Sequence, residues 1–220
     1  MAPTPLRLED LPDSFPVFPL AGALLLPHGR LPLNIFEPRY LAMTEDALAA
    51  GRLIGMIQPD ARRAGSGAPA LYRVGCLGRI AAFSETDDNR YLITLVGMIR
   101  FAVAEELPMR RGYRRVRAAL SYYAADLAPL PPDEPDLDRE GLLADLRGYF
   151  ARQRIDANWD AIRGMADGAL VTTLCMACPF DPAEKQALLE APTEADRAAT
   201  LRALLAIDAH EAAPGSGRAS

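Results

Sequence analysis

Cys175 and Cys178 form a C-x-x-C pair, the one arrangement in this sequence whose residue types and spacing could carry chemistry. Such a pair could act as a redox couple or as half of a zinc site. Leu174, Met176, Ala177 and Phe180 surround it with apolar residues, and no second C-x-x-C exists. Cys76 and His28 would complete four ligands only by reaching in from a distant part of the chain. Cysteine in such a setting behaves as a small buried hydrophobe, so core packing is the preferred reading. An odd count of three cysteines, with no framework of pairs, suits a reducing cytoplasm.

Nucleophilic and phosphate chemistry find little to work with. Lys185 is the only lysine of the chain. A phosphate loop needs Gly-x-x-x-x-Gly-Lys-Ser/Thr, whereas Lys185 follows Phe180, Asp181 and Pro182 and precedes Gln186. A serine–lysine dyad would have to take its base from the same residue. Lys185 sits at an acid-flanked helix start between Glu184 and Glu190, which is expected to hold it protonated, the wrong form for a base. For a Ser-His-Asp arrangement only His28 and His210 are available. Ser66, in Gly65-Ser66-Gly67, lacks the outer spacing of a nucleophile elbow. No cofactor is implied.

The elements that must position these residues fall into two kinds. From 15 to 126 the pattern is mostly strand, with apolar runs at 17–26, 53–57, 71–83, 91–96, 99–103 and 113–123. A Gly/Ser/Pro loop covers 60–69, and Asp87-Asp88-Asn89 stands where a hairpin should close. Gly97 interrupts its strand and suggests a bulge or a sharp corner. One early helix opens at Glu37, with Pro38 in its first turn, and ends near Gly51. The stretch LAPLPPDEPDLD at 127–138 reads as a linker. Beyond it the period turns helical: Leu142, Leu143, Leu146, Tyr149 and Phe150 form one stripe, and helices fit 159–165 and 169–176. Asp181, Pro182 and Glu184 start the next helix as a capping box, and Thr193, Glu194 and Asp196 open the last. The expected class is α+β: a β-rich domain at 14–126, a linker at 127–138 and a helical bundle at 139–211. Residues 1–13 and 212–220 read as loose termini.

The 220 residues are half hydrophobic and 24% charged, with a net charge of −5. A protein that neutralises many phosphates is usually basic, so nucleic acid is an unfavoured partner. Basic residues cluster at Arg110, Arg111, Arg114, Arg115 and Arg117, read here as a solvated edge strand rather than a phosphate patch. Glu9, Asp10 and Asp13 precede the first apolar run where a secretory signal would be positive. No run of about 18 apolar residues exists, so no membrane span is expected.

Several motifs together resemble the amino-terminal, substrate-binding region of the Lon proteases. They are FPVFPL at 15–20, LLPHGRLPLNIFEPRY at 25–40, LIGMIQP at 53–59, YRVGCLGRI at 72–80, RYLITLVGMIRF at 90–101 and PFDPAEKQALLE at 179–190. The resemblance runs from Phe15 to about Leu205. It implies a PUA-like β-barrel domain with an inserted helix, followed by a helical bundle. It also implies recognition of unfolded or tagged polypeptides without catalysis, in the manner of an adaptor or holdase. Expected partners are unfolded or hydrophobic polypeptides, a protease or chaperone, and a second copy as a homodimer. The chain ends at Ser220, before an ATPase or peptidase domain could begin. Small stand-alone proteins of this type are similar enough to carry a Lon peptidase label, which these residues do not support as an activity. An RNA-binding module is the alternative, because PUA-like barrels elsewhere bind RNA.

Recognition of unfolded chains needs adaptable exposed apolar surface. By composition Phe36, Tyr40, Met56, Met98, Met109 and Tyr113 are the substrate-binding candidates, with Tyr122 and Tyr123 beside them. Pro19, Glu37, Pro38, Arg39 and Lys185 belong to the motifs and are read as structural, as are Pro16, Pro27 and Pro32, which fix backbone direction along an extended segment. Trp159 reads as a bundle anchor.

Overall fold

The computed structural model describes residues 7–63, 69–129 and 137–211. Ser66, most of the proline-rich linker, the side chain of His210 and the outer parts of both termini lie outside the described residues. Six strands run β1 (Ser14–Pro19), β2 (Arg30–Ile35), β3 (Leu53–Ile57), β4 (Val74–Glu85), β5 (Tyr91–Arg110) and β6 (Tyr113–Ala119). Helix α1 (Pro38–Ala49) lies between β2 and β3. The helices α2 (Arg139–Gln153), α3 (Trp159–Arg163), α4 (Asp167–Ala177), α5 (Pro182–Glu190) and α6 (Glu194–Glu211) follow the strands. The class is α+β, with one mixed sheet in the order β2-β5-β4-β3-β1-β6. β1 and β3 pair in parallel, and the β2–α1 segment supplies the crossover that a parallel pair requires. Every other pairing is antiparallel.

The two runs at 91–96 and 99–103 are one strand. β5 is 20 residues long because Gly97 bends it without ending it. The ladder slips by one residue there, Leu77 facing Ile99 while Gly78 faces Gly97. A Cβ at position 97 would overlap the carbonyl oxygen of Leu26. Glycine is therefore required by the close approach of another backbone. Asn89, at φ 57°, closes the β4–β5 hairpin as its Asp-Asp-Asn sequence suggests.

Three expectations need correction. The strand predicted over 17–26 stops at Pro19, and Leu24, Leu25 and Leu26 continue as a buried non-strand segment. Residues 30–35 are not among the expected strand runs, yet Arg30–Ile35 is a strand that pairs with β5, with Pro32 facing Thr94. And β6, which carries Arg114, Arg115 and Arg117, is not an edge strand, since it pairs with both β1 and the second half of β5. Arg114 binds Glu106 at 2.6 Å and Arg117 binds Glu105, an adjacent pair of carboxylates that strand alternation puts on opposite faces.

One apolar cluster joins Phe18, Leu25, Ile35, Met43, Ile80 and Leu95 of the β-rich part to Leu142, Leu146, Tyr149, Leu170, Cys175 and Leu201 of the helices. A second lies within the sheet around Phe15, Val17, Leu77, Ile99, Phe101 and Val116, with the Phe15 and Phe101 rings edge-to-face at 5.0 Å. The helix ends follow their sequence signals. Asp138 caps α2 through the Gly141 amide, Asn158 caps α3, and Asp181 with Glu184 forms the reciprocal capping box of α5. Among the described residues no helix is long and apolar enough to cross a membrane.

Candidate functional site

Buried polar side chains lock the helices onto the sheet, and their placement fixes where open surface remains. Arg100 of β5 is 6% exposed. It meets both carboxylate oxygens of Asp126 and donates to the carbonyl of Ala191 at 2.6 Å, past the end of α5. Gln58 donates to the Pro182 carbonyl at 2.8 Å, and Gln186 donates to the Val74 carbonyl at 3.1 Å. Lys185 is buried, and its Nζ donates to the carbonyl of Gly22 at 2.8 Å. The acidic neighbours are not what sets the protonation of Lys185. Burial dominates and lowers its pKa from the ordinary lysine value. Glu184 is instead spent on the Asp181 amide. Cys175 and Cys178 are fully enclosed, and burial pushes both thiols up to about 12, so they stay protonated members of the core.

A groove opens where α4 diverges from β2. Met176 and Gly29 both line it, packed so closely that any Cβ on residue 29 would strike the thioether. Leu31 and Pro32 line one wall, Ala169, Thr173 and Ala177 the other, and the cavity holds about 530 Å³. The spacing of 169, 173 and 177 puts three small side chains on one exposed stripe of α4. Pro32 also lines a second cleft of about 470 Å³ on the adjoining part of the sheet, with Phe83 and Leu92. These two side chains are 40% and 45% exposed, and Phe36, beyond them at the end of β2, is 61% exposed. β2 thus runs between two apolar depressions, and among the described residues it pairs on one side only, with β5. At its start, His28 (φ 63°) belongs both to the groove and to a third cavity of about 330 Å³ that reaches Arg100 and Arg197.

The sequence candidates scatter. Phe36 flanks this surface, under the guanidinium of Arg90. Met109 is 67% exposed on the β5–β6 hairpin. Met98 is half-buried against the intrasheet cluster. Tyr40, Met56 and Tyr113 are buried in the core. Tyr40 packs on Phe18 at 4.2 Å between ring centres, with the guanidinium of its neighbour Arg39 over its ring. The Tyr113 hydroxyl donates to Asp46 of α1 at 2.7 Å, and burial with that carboxylate pushes its pKa up to about 12. Glu37 and Arg39 pair with each other at 2.7 Å at the start of α1, where Glu37 is the N-cap and Pro38 the first residue. The basic cluster is largely neutralised. Arg110 faces Asp46, Arg111 faces Glu45 and Asp46, and Arg114 and Arg117 face Glu106 and Glu105. Sequence reasoning missed the groove itself, although the small residues at 169, 173 and 177 on a helix were a visible signal.

With this geometry in place, comparison with known proteins is informative. The family model for the ATP-dependent protease La (LON) substrate-binding domain matches residues 14–206, and the chain belongs to that family. Lon protease 2 of Myxococcus xanthus is 33% identical over 107 residues, which are 48% of this chain and 13% of that protein. Lon protease 2 of Syntrophobacter fumaroxidans is 25% identical over 197 residues, 85% of this chain and 23% of the relative. The chain therefore spans less than a quarter of the length of these relatives. Among solved structures, the Lon N-terminal domain protein from Xanthomonas campestris aligns with a TM-score of 0.55 at 23% identity, covering 88% of this chain and 97% of that one. The N-terminal domain of the Mycobacterium avium complex Lon protease aligns with a TM-score of 0.59 at 17% identity, covering 88% and 98%. These two likenesses speak to the fold.

Proposed function

We propose that this protein is a non-catalytic binding module that holds unfolded or hydrophobic polypeptides along β2, with the β2–α4 groove as the principal contact. The observation that carries this reading is a 530 Å³ apolar groove beside a strand with one edge unpaired among the described residues. Its role is that of an adaptor or holdase in the cytoplasm, with a protease or chaperone as onward partner and a second copy as a homodimer. In this reading the sheet is of the PUA-like barrel kind, and the divisions at 14–126 and 139–211 are its two working parts. The family membership and the TM-scores above support it.

The RNA alternative draws no support from the arginine cluster, because a carboxylate lies against Arg110, Arg111, Arg114 and Arg117. An apolar client held against loss of its own chain entropy should bind with micromolar affinity, near −8 kcal/mol on the usual conversion. Thr173→Trp, on the exposed stripe of α4, fills the groove without touching the core. It should weaken capture of a labelled denatured polypeptide at least tenfold. Unchanged capture by a folded Thr173→Trp protein would reject the groove as the site.

A further inference from the structure

The outer face of the sheet across β2, β5 and β4 brings two cations together beside an apolar cleft. The register sets Arg30 of β2 and Arg79 of β4 on either side of Val96 of β5. Residues directly opposite one another share a face, and neighbouring strands lie about 4.8 Å apart, so the two Cα atoms are about 10 Å apart with both side chains on one side of the sheet. Both arginines are exposed, and among the described residues neither makes an ion pair. The next two cross-strand rows start at Pro32 and Asn34, pass through Thr94 and Leu92, and end on β4 without a carboxylate. Glu85 lies opposite Tyr91 on the other face, where Tyr91 donates to Glu45, and Asp88 at the hairpin is held by Arg90 at 2.7 Å. Exposed arginines alone would be a solvated face. Here they adjoin the cleft of about 470 Å³ that Pro32, Thr94 and Leu92 line, with Leu92 45% exposed. Leu92 and Val96 are four positions apart on β5, a span of about 13 Å at 3.3 Å per residue.

We propose that this face is a second docking surface, for a polypeptide segment in which an apolar stretch is followed within about four extended residues by two carboxylates. The apolar stretch lies over Leu92 and Thr94, and the carboxylates meet Arg30 and Arg79. Charge complementarity selects the acidic end, and the apolar cleft selects a peptide over a nucleic acid. The one aromatic ring at the cleft, Phe83, is turned onto Tyr91 at 5.0 Å between ring centres, so none is presented for a base to stack on. The cleft shares only Pro32 with the lining of the β2–α4 groove, and Arg79 lines neither. The inference therefore does not rest on the groove being a polypeptide site, and it adds a contact with a selectivity of its own.

Two labelled peptides test it by fluorescence anisotropy against the full chain, at low ionic strength where exposed charges are least screened. One is an apolar stretch followed by two aspartates, and the other carries two asparagines in their place. Exposed ion pairs are individually weak, so the aspartate peptide should bind about fivefold more tightly. Arg30 also lines the groove, so Arg79→Gln is the deciding variant and should reduce the preference. Arg30→Gln/Arg79→Gln should abolish it, and Leu92→Ser should weaken both peptides alike. Thr173→Trp, which fills the groove, should leave the preference intact. All four side chains are exposed, so their replacement leaves the core untouched. Equal affinity for the two peptides, binding of neither, or a preference that survives Arg30→Gln/Arg79→Gln overturns the proposal. Loss of the preference in Thr173→Trp with retention in Arg79→Gln also overturns it, since the carboxylates would then lie in the groove. A single-stranded RNA whose binding is lost in Arg30→Gln/Arg79→Gln, with no affinity for the aspartate peptide, overturns it in favour of nucleic acid. Unchanged capture of denatured polypeptide by Thr173→Trp rejects the groove alone, and an aspartate preference lost in Arg79→Gln supports this surface even then.

Discussion

The Nζ of Lys185 lies 2.8 Å from the carbonyl oxygen of Gly22, so the only lysine of the chain bolts the start of α5 to the loop after β1. Residue 22 is glycine at φ 75°, a conformation that other residues adopt only with strain, and its own amide donates to Gln58. The loop is therefore held at both backbone polar groups of one residue. Lys185→Met keeps the length of the side chain but leaves the Gly22 carbonyl without its donor. It should cost about 1–3 kcal/mol, read from urea unfolding at pH 7. A neutral result would mean that the contact contributes nothing.

The Arg100–Asp126 pair is buried on both sides, at 7% and 9% side-chain exposure. Removing one partner leaves the other charge stranded. Asp126→Ala alone should therefore cost about 3–5 kcal/mol, and the double variant Arg100→Met/Asp126→Ala should recover part of that loss. Additive losses across the double-mutant cycle would argue against coupling.

Legibility from the sequence divides along the range of the interactions. The capping box at Asp181 and the turn at Asn89 are decided by neighbours, and residue type announces them. β2 was hidden because Pro32 lowers the strand signal, and only the partner β5, some 60 residues away, shows that the missing donor does no harm. β6 read as an edge because its closure onto β1 and β5 is non-local. The substrate candidates were chosen by composition, which cannot separate an exposed Phe36 from a buried Met56. The groove brings Gly29 and Met176 together from opposite parts of the chain, and no local pattern encodes that.

Stability should fall in alkali. Cys175 and Cys178 are raised from the ordinary 9.0 to about 12, and Cys76 is raised as well. A raised folded pKa gives stability that is complete below the unfolded value and is lost as pH climbs towards the folded one. The loss should run from about pH 9 to 12, at roughly 1.4 kcal/mol per pH unit for each proton difference. Lys185, lowered by burial, pulls the other way below its unfolded value of 10.5, but one ammonium opposes three thiols. Urea midpoints between pH 8 and 11 should therefore decline. The Cys175→Ala/Cys178→Ala protein should decline less steeply, after losing about 1–3 kcal/mol at pH 7 to the vacated volume. Stoichiometric zinc in the native protein would contradict the packing account of these residues.

Gly97→Ala should be among the most damaging small substitutions, because its methyl group meets the Leu26 backbone rather than a movable side chain. A loss of about 3 kcal/mol is expected, at the upper end for overpacking. Gly22→Ala has open space around its Cβ and only the φ penalty, so about 1 kcal/mol is expected there. Thermal unfolding of the two variants checks the order.

The central claim, capture of unfolded polypeptide by the β2 surface, is tested most directly by titrating the protein with a labelled denatured client and with a single-stranded RNA, each at low and high salt. Apolar burial is weakly screened, whereas phosphate contacts fall steeply with salt. The expected result is micromolar binding of the client that changes little with salt and is lost in Thr173→Trp. Tight, salt-sensitive binding of the RNA with no affinity for the client would contradict it.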